Sequence, residues 1–186
     1  MPTFELLPLV TPRLVLRPLG EADAPAFFAI FSDPAVMRFW SSPPLSEVAQ
    51  ARESVLQIEA GYRCGDFLQL GLERQSDAAL IGTCTLFSFH AASRRAEMGY
   101  ALGRPFWGAG YMHEALTALV TYAFGVLNLH RLEADIDPRN RASARTLERL
   151  GFQQEGYLRE RWIVGEEISD TAWYGLLCWE WQNSAP

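Results

Sequence analysis

A chain of 186 residues, 49% hydrophobic and 20% charged, is long enough for one ordinary core and too short for two, so one domain over residues 1–186 is expected. Its formal net charge of −6 argues against nucleic acid as a direct partner and admits a basic one, such as an amine. The longest apolar runs fall short of the ~18 residues a membrane span needs. Met1 to Val10 carries neither a basic n-region nor a small-residue cleavage site, so a cytoplasmic protein without a leader is expected.

In chain order, Leu9 to Leu19 reads as a strand, with Leu14 and Leu16 alternating against Arg13, Val15 and Arg17. Glu21 to Asp33 has helical apolar spacing through Ala24, Phe27, Phe28 and Phe31, and Pro34 is expected to stop it. Ser46 suits the N-cap of a second helix ending at Gly61. Phe67 to Glu73 and Leu80 to Phe89 read as a hairpin, followed by a strand from Arg95 to Leu102. After the turn Gly108-Ala109-Gly110, Met112, Ala115, Leu116, Leu119, Val120 and Ala123 recur at three-and-four spacing, the clearest helix in the chain. Arg131 to Ile136 is a strand. Asp137-Pro138-Arg139-Asn140 turns into a helix closed by Gly151. Two long strands remain, Phe152 to Val164 and Glu167 to Trp181. This order predicts a mixed α/β fold with at least one parallel crossover and antiparallel hairpins elsewhere.

Cys64, Cys84 and Cys178, and His90, His113 and His130, show no metal-ligand or redox spacing, so reduced thiols and no metal are expected. The glycine turn is more informative. It joins a strand to the N-terminus of an amphipathic helix, where unpaired backbone N–H groups and the positive end of the helix dipole meet. Glycine there lets a phosphate approach the backbone, though a tight turn with no ligand has the same sequence. A P-loop is excluded, because Gly110 is followed by Tyr111-Met112 rather than Lys-Ser or Lys-Thr. A dinucleotide site lacks its third glycine, at His113; Asp135, late in the next strand, keeps that reading open. Acyl-coenzyme A is the third possible guest.

Thr11-Pro12-Arg13-Leu14-Val15-Leu16-Arg17, Glu97-Met98-Gly99-Tyr100-Ala101-Leu102, Phe106 to Tyr111 with Glu114-Ala115-Leu116, and Asn140 through Gly151-Phe152 to Tyr157 together resemble the GNAT N-acetyltransferases, in particular their RimJ/RimL-like branch. The ordered set spans nearly the whole chain. The resemblance implies a twisted, mostly antiparallel sheet, flanked by helices and splayed between the fourth and fifth strands. Acetyl-CoA would be cosubstrate. Its pantetheine would lie along Tyr100, Ala101 and Leu102, and its pyrophosphate on Trp107, Gly108, Ala109, Gly110, Tyr111 and Met112. Asn140 and Ser143 would approach the thiol end. Pro105 stands where the family's general pattern has Gln or Arg. The acceptor would be a primary amine, a protein N-terminus first among the choices, with small amines and a catalytically weak sensor module as alternatives. Monomer and homodimer both remain open.

Direct acetyl transfer needs a base for the amine, stabilisation of an oxyanion and a proton for the thiolate. Glu97, on the strand nearest the expected thioester, is the first candidate base. In ribosomal-protein acetyltransferases of this branch the counterpart of Ser143 is the general acid, and a glutamate assigned as base aligns with Trp162. Glu160, two residues earlier and expected on the same face, and Asp170, on the last strand, are the other carboxylates to hand. Tyr157 is a second candidate proton donor.

Overall fold

The computed structural model describes residues 4–184; of the segment read for a leader, residues 1–3 lie outside it. Eight strands form one sheet in the order β1-β2-β3-β4-β5-β6-β8-β7. They are β1 (Leu9–Val10), β2 (Leu14–Pro18), β3 (Leu68–Arg74), β4 (Ala79–His90), β5 (Arg95–Leu102), β6 (Arg131–Ile136), β7 (Gln153–Val164) and β8 (Glu167–Leu177). All neighbours pair antiparallel except β5 and β6.

The helices are α1 (Ala24–Phe31), α2 (Pro34–Met37), α3 (Val48–Cys64), α4 (Tyr111–Gly125), α5 (Arg141–Arg149) and α6 (Cys178–Ser184). They cover both faces of the sheet. Ala96 and Met98 of β5 pack with Leu116 and Leu119 of α4 and Leu147 of α5 in the larger core. Ala101, on the other side of the same strand, packs with Phe27 and Phe31 of α1 and Val55 of α3. The period-two alternation of a strand thus separates two cores.

Several boundaries differ from the sequence expectations. The strand expected over Leu9 to Leu19 is a hairpin, with Leu9 opposite Leu16 and Val10 opposite Val15. Pro12 cannot donate to a ladder. The Thr11 hydroxyl accepts from Leu14 N–H at 3.0 Å and folds the chain back. The first helix begins as a 3-10 turn over Glu21–Asp23, and Pro34 starts α2 rather than only ending α1, because Asp33 caps it by accepting from Ala35 N–H at 2.8 Å. At α3 the N-cap is Glu47, not Ser46; Gln50 Oε1 accepts from Ser46 N–H at 2.8 Å. That helix continues through Gly61, which lies under the Phe67 ring, to a left-handed Gly65. The last strand ends at Leu177, and α6 follows. Glu180 Oε2, in the first turn of α6, accepts from Leu177 N–H at 2.8 Å.

The feature that positions the site is the parallel pair. β5 and β6 match only at Arg95–Arg131, Ala96–Leu132 and Glu97–Glu133. Beyond these the strands part. The splay expected between the fourth and fifth strands lies here, between the fifth and sixth once the first strand is counted as two.

Candidate active site

A cavity of about 300 Å³ opens where β5 and β6 separate. Gly99 and Tyr100 line it from β5, and Asp135 and Ile136 from β6. Because the gap passes through the sheet, the cavity has walls on both faces. On the α4/α5 side stand Met98, Asn140 and Ser143. On the α1/α3 side stand Phe39, Trp40 and Phe87, with Trp162 from the last hairpin; Asp170 also lines the cavity, two residues from Ala172 of the larger core.

Asn140 caps α5, its Oδ1 accepting from Ser143 N–H at 3.1 Å. That bond fixes the first turn of the helix and places Ser143, which is 8% exposed, in the wall. The Ser143 Oγ lies 2.6 Å from the Tyr100 hydroxyl. Burial pushes the Tyr100 phenol up to about 12, partly offset by its bond to Ser143. Either oxygen of this pair can be the donor, and the Tyr100 hydroxyl also donates to the Ser143 carbonyl at 3.3 Å, so the phenol fixes the position of the serine. Tyr100 was expected to act only through its backbone; no sequence signal links it to Ser143.

The glycine turn has the shape that its sequence suggested. Gly108 and Gly110 have φ of +76° and +78°, in the left-handed region that favours glycine. A methyl group added at Gly108 would meet nothing within 4 Å, so the turn is open to a guest. Gly110 is the N-cap of α4, and Tyr111, Met112 and the residues after them form its first turn. The N-terminal hairpin braces this turn. Glu114 accepts from the Thr11 hydroxyl at 2.7 Å, from Arg13 N–H at 2.8 Å and from Arg13 Nε at 2.6 Å. Arg13 Nη1 donates to the Ala109 carbonyl at 2.9 Å. Trp107 Nε1 donates to the Leu102 carbonyl at 2.7 Å, so that carbonyl, in the strand expected to hold pantetheine, is already engaged.

The other expected residues are less well gathered. Glu97 is not among the residues lining the cavity. Burial holds its carboxyl above the usual range against a bond from Ser88, and the charges of Asp135 and Glu133 add to the rise. Tyr157 also lies outside the lining; its hydroxyl donates to Asp170 Oδ2 at 2.6 Å, and this bond raises Tyr157 and lowers Asp170. Glu160, unlike Trp162, is not among the residues lining the cavity. The register between β7 and β8 slips between Leu158 and Trp162, Glu160 has φ of +51°, and its N–H is spent on Asp170 Oδ1 at 2.7 Å. A bulge breaks the alternation on which that expectation rested. Trp162, by contrast, reaches the cavity and donates from Nε1 to Asp135 Oδ2 at 2.9 Å. In the sequence, Asp135 served only to keep a dinucleotide site open.

A family model described as the acetyltransferase (GNAT) domain matches residues 13–153. The uncharacterized N-acetyltransferase p20 of Bacillus licheniformis is 35% identical over 169 residues, covering 91% of this chain and 95% of the relative. The ribosomal protein uS5-alanine N-acetyltransferase of Escherichia coli is 28% identical over 184 residues, covering 93% and 92%. Among solved structures, RimJ of Mycobacterium smegmatis in complex with CoA-disulfide superposes with a TM-score of 0.80 at 25% identity, covering 90% of this chain and 83% of that one.

Proposed function

Because this chain belongs to the GNAT acetyltransferase family and is with it an acetyl-CoA-dependent N-acetyltransferase, we propose that its acceptor is a protein N-terminal amine and that residues 1–186 work as one catalytic domain. The observation that carries the reading is the through-going cavity at the parting of β5 and β6. One wall offers the hydroxyl of Ser143, and the other offers the carboxylate of Asp135. Two reactants can therefore meet from opposite faces of the sheet, as direct transfer through a ternary complex requires.

Acetyl-CoA fits the first wall. The open turn at Gly108 to Gly110 and the first N–H groups of α4 would take the pyrophosphate. The β6-facing backbone of Tyr100 to Leu102, which has no strand partner on that side, would hold the pantetheine amides, apart from the Leu102 carbonyl that Trp107 holds. Asn140 and Ser143 would stand at the thiol end. There the Ser143 hydroxyl, oriented by Tyr100, would supply a proton to the leaving sulfur. The acceptor enters from the side of Phe39, Trp40 and Trp162. A protein N-terminus is favoured by the relative that acetylates the alanine of ribosomal protein uS5.

The test is thiol release from acetyl-CoA across a panel of free-amine alanyl and seryl peptides, spermidine and an aminoglycoside. Turnover with the peptides well above the small amines supports the reading. Turnover confined to spermidine or the aminoglycoside moves the acceptor to small polycations. Tight acetyl-CoA binding with no turnover on any amine favours a sensor.

A further inference from the structure

An amine is protonated at neutral pH and cannot attack a thioester until it loses that proton. The group that takes it has to reach the cavity. Three carboxylates line the wall: Asp135, Asp137 and Asp170. Two of them are fully engaged. Asp137 accepts from Arg139 N–H at 2.8 Å and from its Nε and Nη2 at 2.9 and 2.6 Å. Asp170 uses one oxygen for the Tyr157 hydroxyl and the other for Glu160 N–H. Asp135 accepts a single bond, from Trp162 Nε1 to Oδ2. Among the described residues, Asp135 Oδ1 has no donor.

The position of Asp135 is as specific as its bonding. Glu97 and Glu133 are the last residues paired across β5 and β6. Gly99 and Asp135 each lie two residues further on, on either side of the gap, and both line the cavity. Gly99 has no side chain to fill the space opposite the carboxylate. Trp162 comes from β7, and its indole nitrogen is a donor only. It can therefore anchor Oδ2 and turn Oδ1, but it cannot itself accept a proton.

Resting on the reading of this cavity as the site of amine acetylation, we propose that Asp135 is the general base of the transfer and that Trp162 is the positioning residue that aims it. Asp135 Oδ1 takes one proton from the ammonium group. The freed nitrogen lone pair forms the C–N bond as the C–S bond breaks. The amine's second proton is released, and the thiolate takes up one proton through Ser143. The net change is one amide, one free thiol and one proton given to solvent. Glu97 of β5 feels the charges of Asp135 and of Glu133; Asp137 and Asp170 share the cavity with Asp135, Arg139 and Arg159 act on Asp170, and Arg161 lies over the ring of Trp162. Arg139 is held by Asp137 and Glu167, so the acceptor wall keeps a negative bias that draws in a cation.

The experiment is a pH–rate profile of thiol release for wild type, Asp135→Asn, Trp162→Phe and Glu97→Gln, with an alanyl peptide and with spermidine, beside calorimetric acetyl-CoA affinity. Asp135→Asn should lower kcat by about 100-fold or more at pH 7, the usual contribution of a general base. The loss should shrink as pH rises and the amine deprotonates unaided, while coenzyme affinity stays within twofold. Trp162→Phe keeps the ring and loses the donor; kcat should fall less, with an unchanged KM for acetyl-CoA. If Asp135→Asn superimposes on wild type, or if Glu97→Gln alone reproduces the pH-dependent loss, the assignment is overturned. If Asp135→Asn does not fold, Trp162→Phe decides, and a wild-type profile for it overturns the proposal. Absence of wild-type turnover with both acceptors sinks the reading of the cavity instead, and the base with it.

Discussion

Replacing Gly108 with alanine separates the fold from the ligand at a single atom. The residue has φ of +76°, and a Cβ built there meets nothing within 4 Å. The only cost to the free protein is therefore the left-handed conformation, about 1–2 kcal/mol for a residue with a Cβ. Gly165, in the β7–β8 turn, is a matched control: its φ is +61° and its added Cβ also meets nothing within 4 Å. The two alanine variants should lose similar stability in thermal melts. They should differ in binding. At Gly108 the methyl would stand where a phosphate must approach the backbone, and a displacement costing even ~1.4 kcal/mol weakens affinity tenfold. Calorimetry with acetyl-CoA is the assay. A tenfold or greater loss at Gly108→Ala with wild-type affinity at Gly165→Ala is the expected pair. Equal affinity in both variants would refute the assignment of this turn to the coenzyme.

Asn140→Ala should cost about 1 kcal/mol of stability through the lost cap, and should also lower turnover, because the cap places Ser143 in the wall. A stability loss with unchanged saturating kinetics would reduce Asn140 to a cap alone. Tyr100→Phe keeps the ring and removes the bond that orients Ser143; kcat should fall several-fold while acetyl-CoA affinity holds, and an unchanged kcat would separate the pair from the chemistry. Asp23 is the clearest acid-sensitive contact. Burial works against its charge, but the hydrogen bonds from Arg17 and from Gly20 N–H outweigh it and depress its carboxyl below the ordinary 3.8. A depressed folded value stabilises the protein above the unfolded value, and the contribution is lost as pH falls from about 4 through the folded value. Asp23→Asn should therefore destabilise the protein near neutral pH and narrow its deficit as pH falls through the folded value of Asp23, as read from melts across that range.

Short-range physics explains why some of this was legible in the chain alone. The α4 stripe, the caps at Asn140 and Gly151, and the left-handed glycines at 108 and 110 depend on residues a few positions apart, whose pattern is visible without a fold. The mixed α/β order and the family resemblance follow from the same local signals in sequence. What they could not reveal was anything decided by strand register. The hairpin at Thr11 to Leu14 turns on one proline and one hydroxyl, and the register slip between Leu158 and Trp162 breaks the simple alternation by which Glu160 would be placed. The Ser143–Tyr100 pair joins residues 43 positions apart, and the Trp162–Asp135 pair joins residues 27 apart. Neither spacing has a periodic signature, because each pair is made by the parting of β5 from β6 and the slip of β7 on β8. Glu97 looked like the base because it lies on the right strand. Asp135 reaches the cavity because the sheet opens two residues beyond Glu97, and the length over which two strands stay paired is set by the packing of the whole sheet.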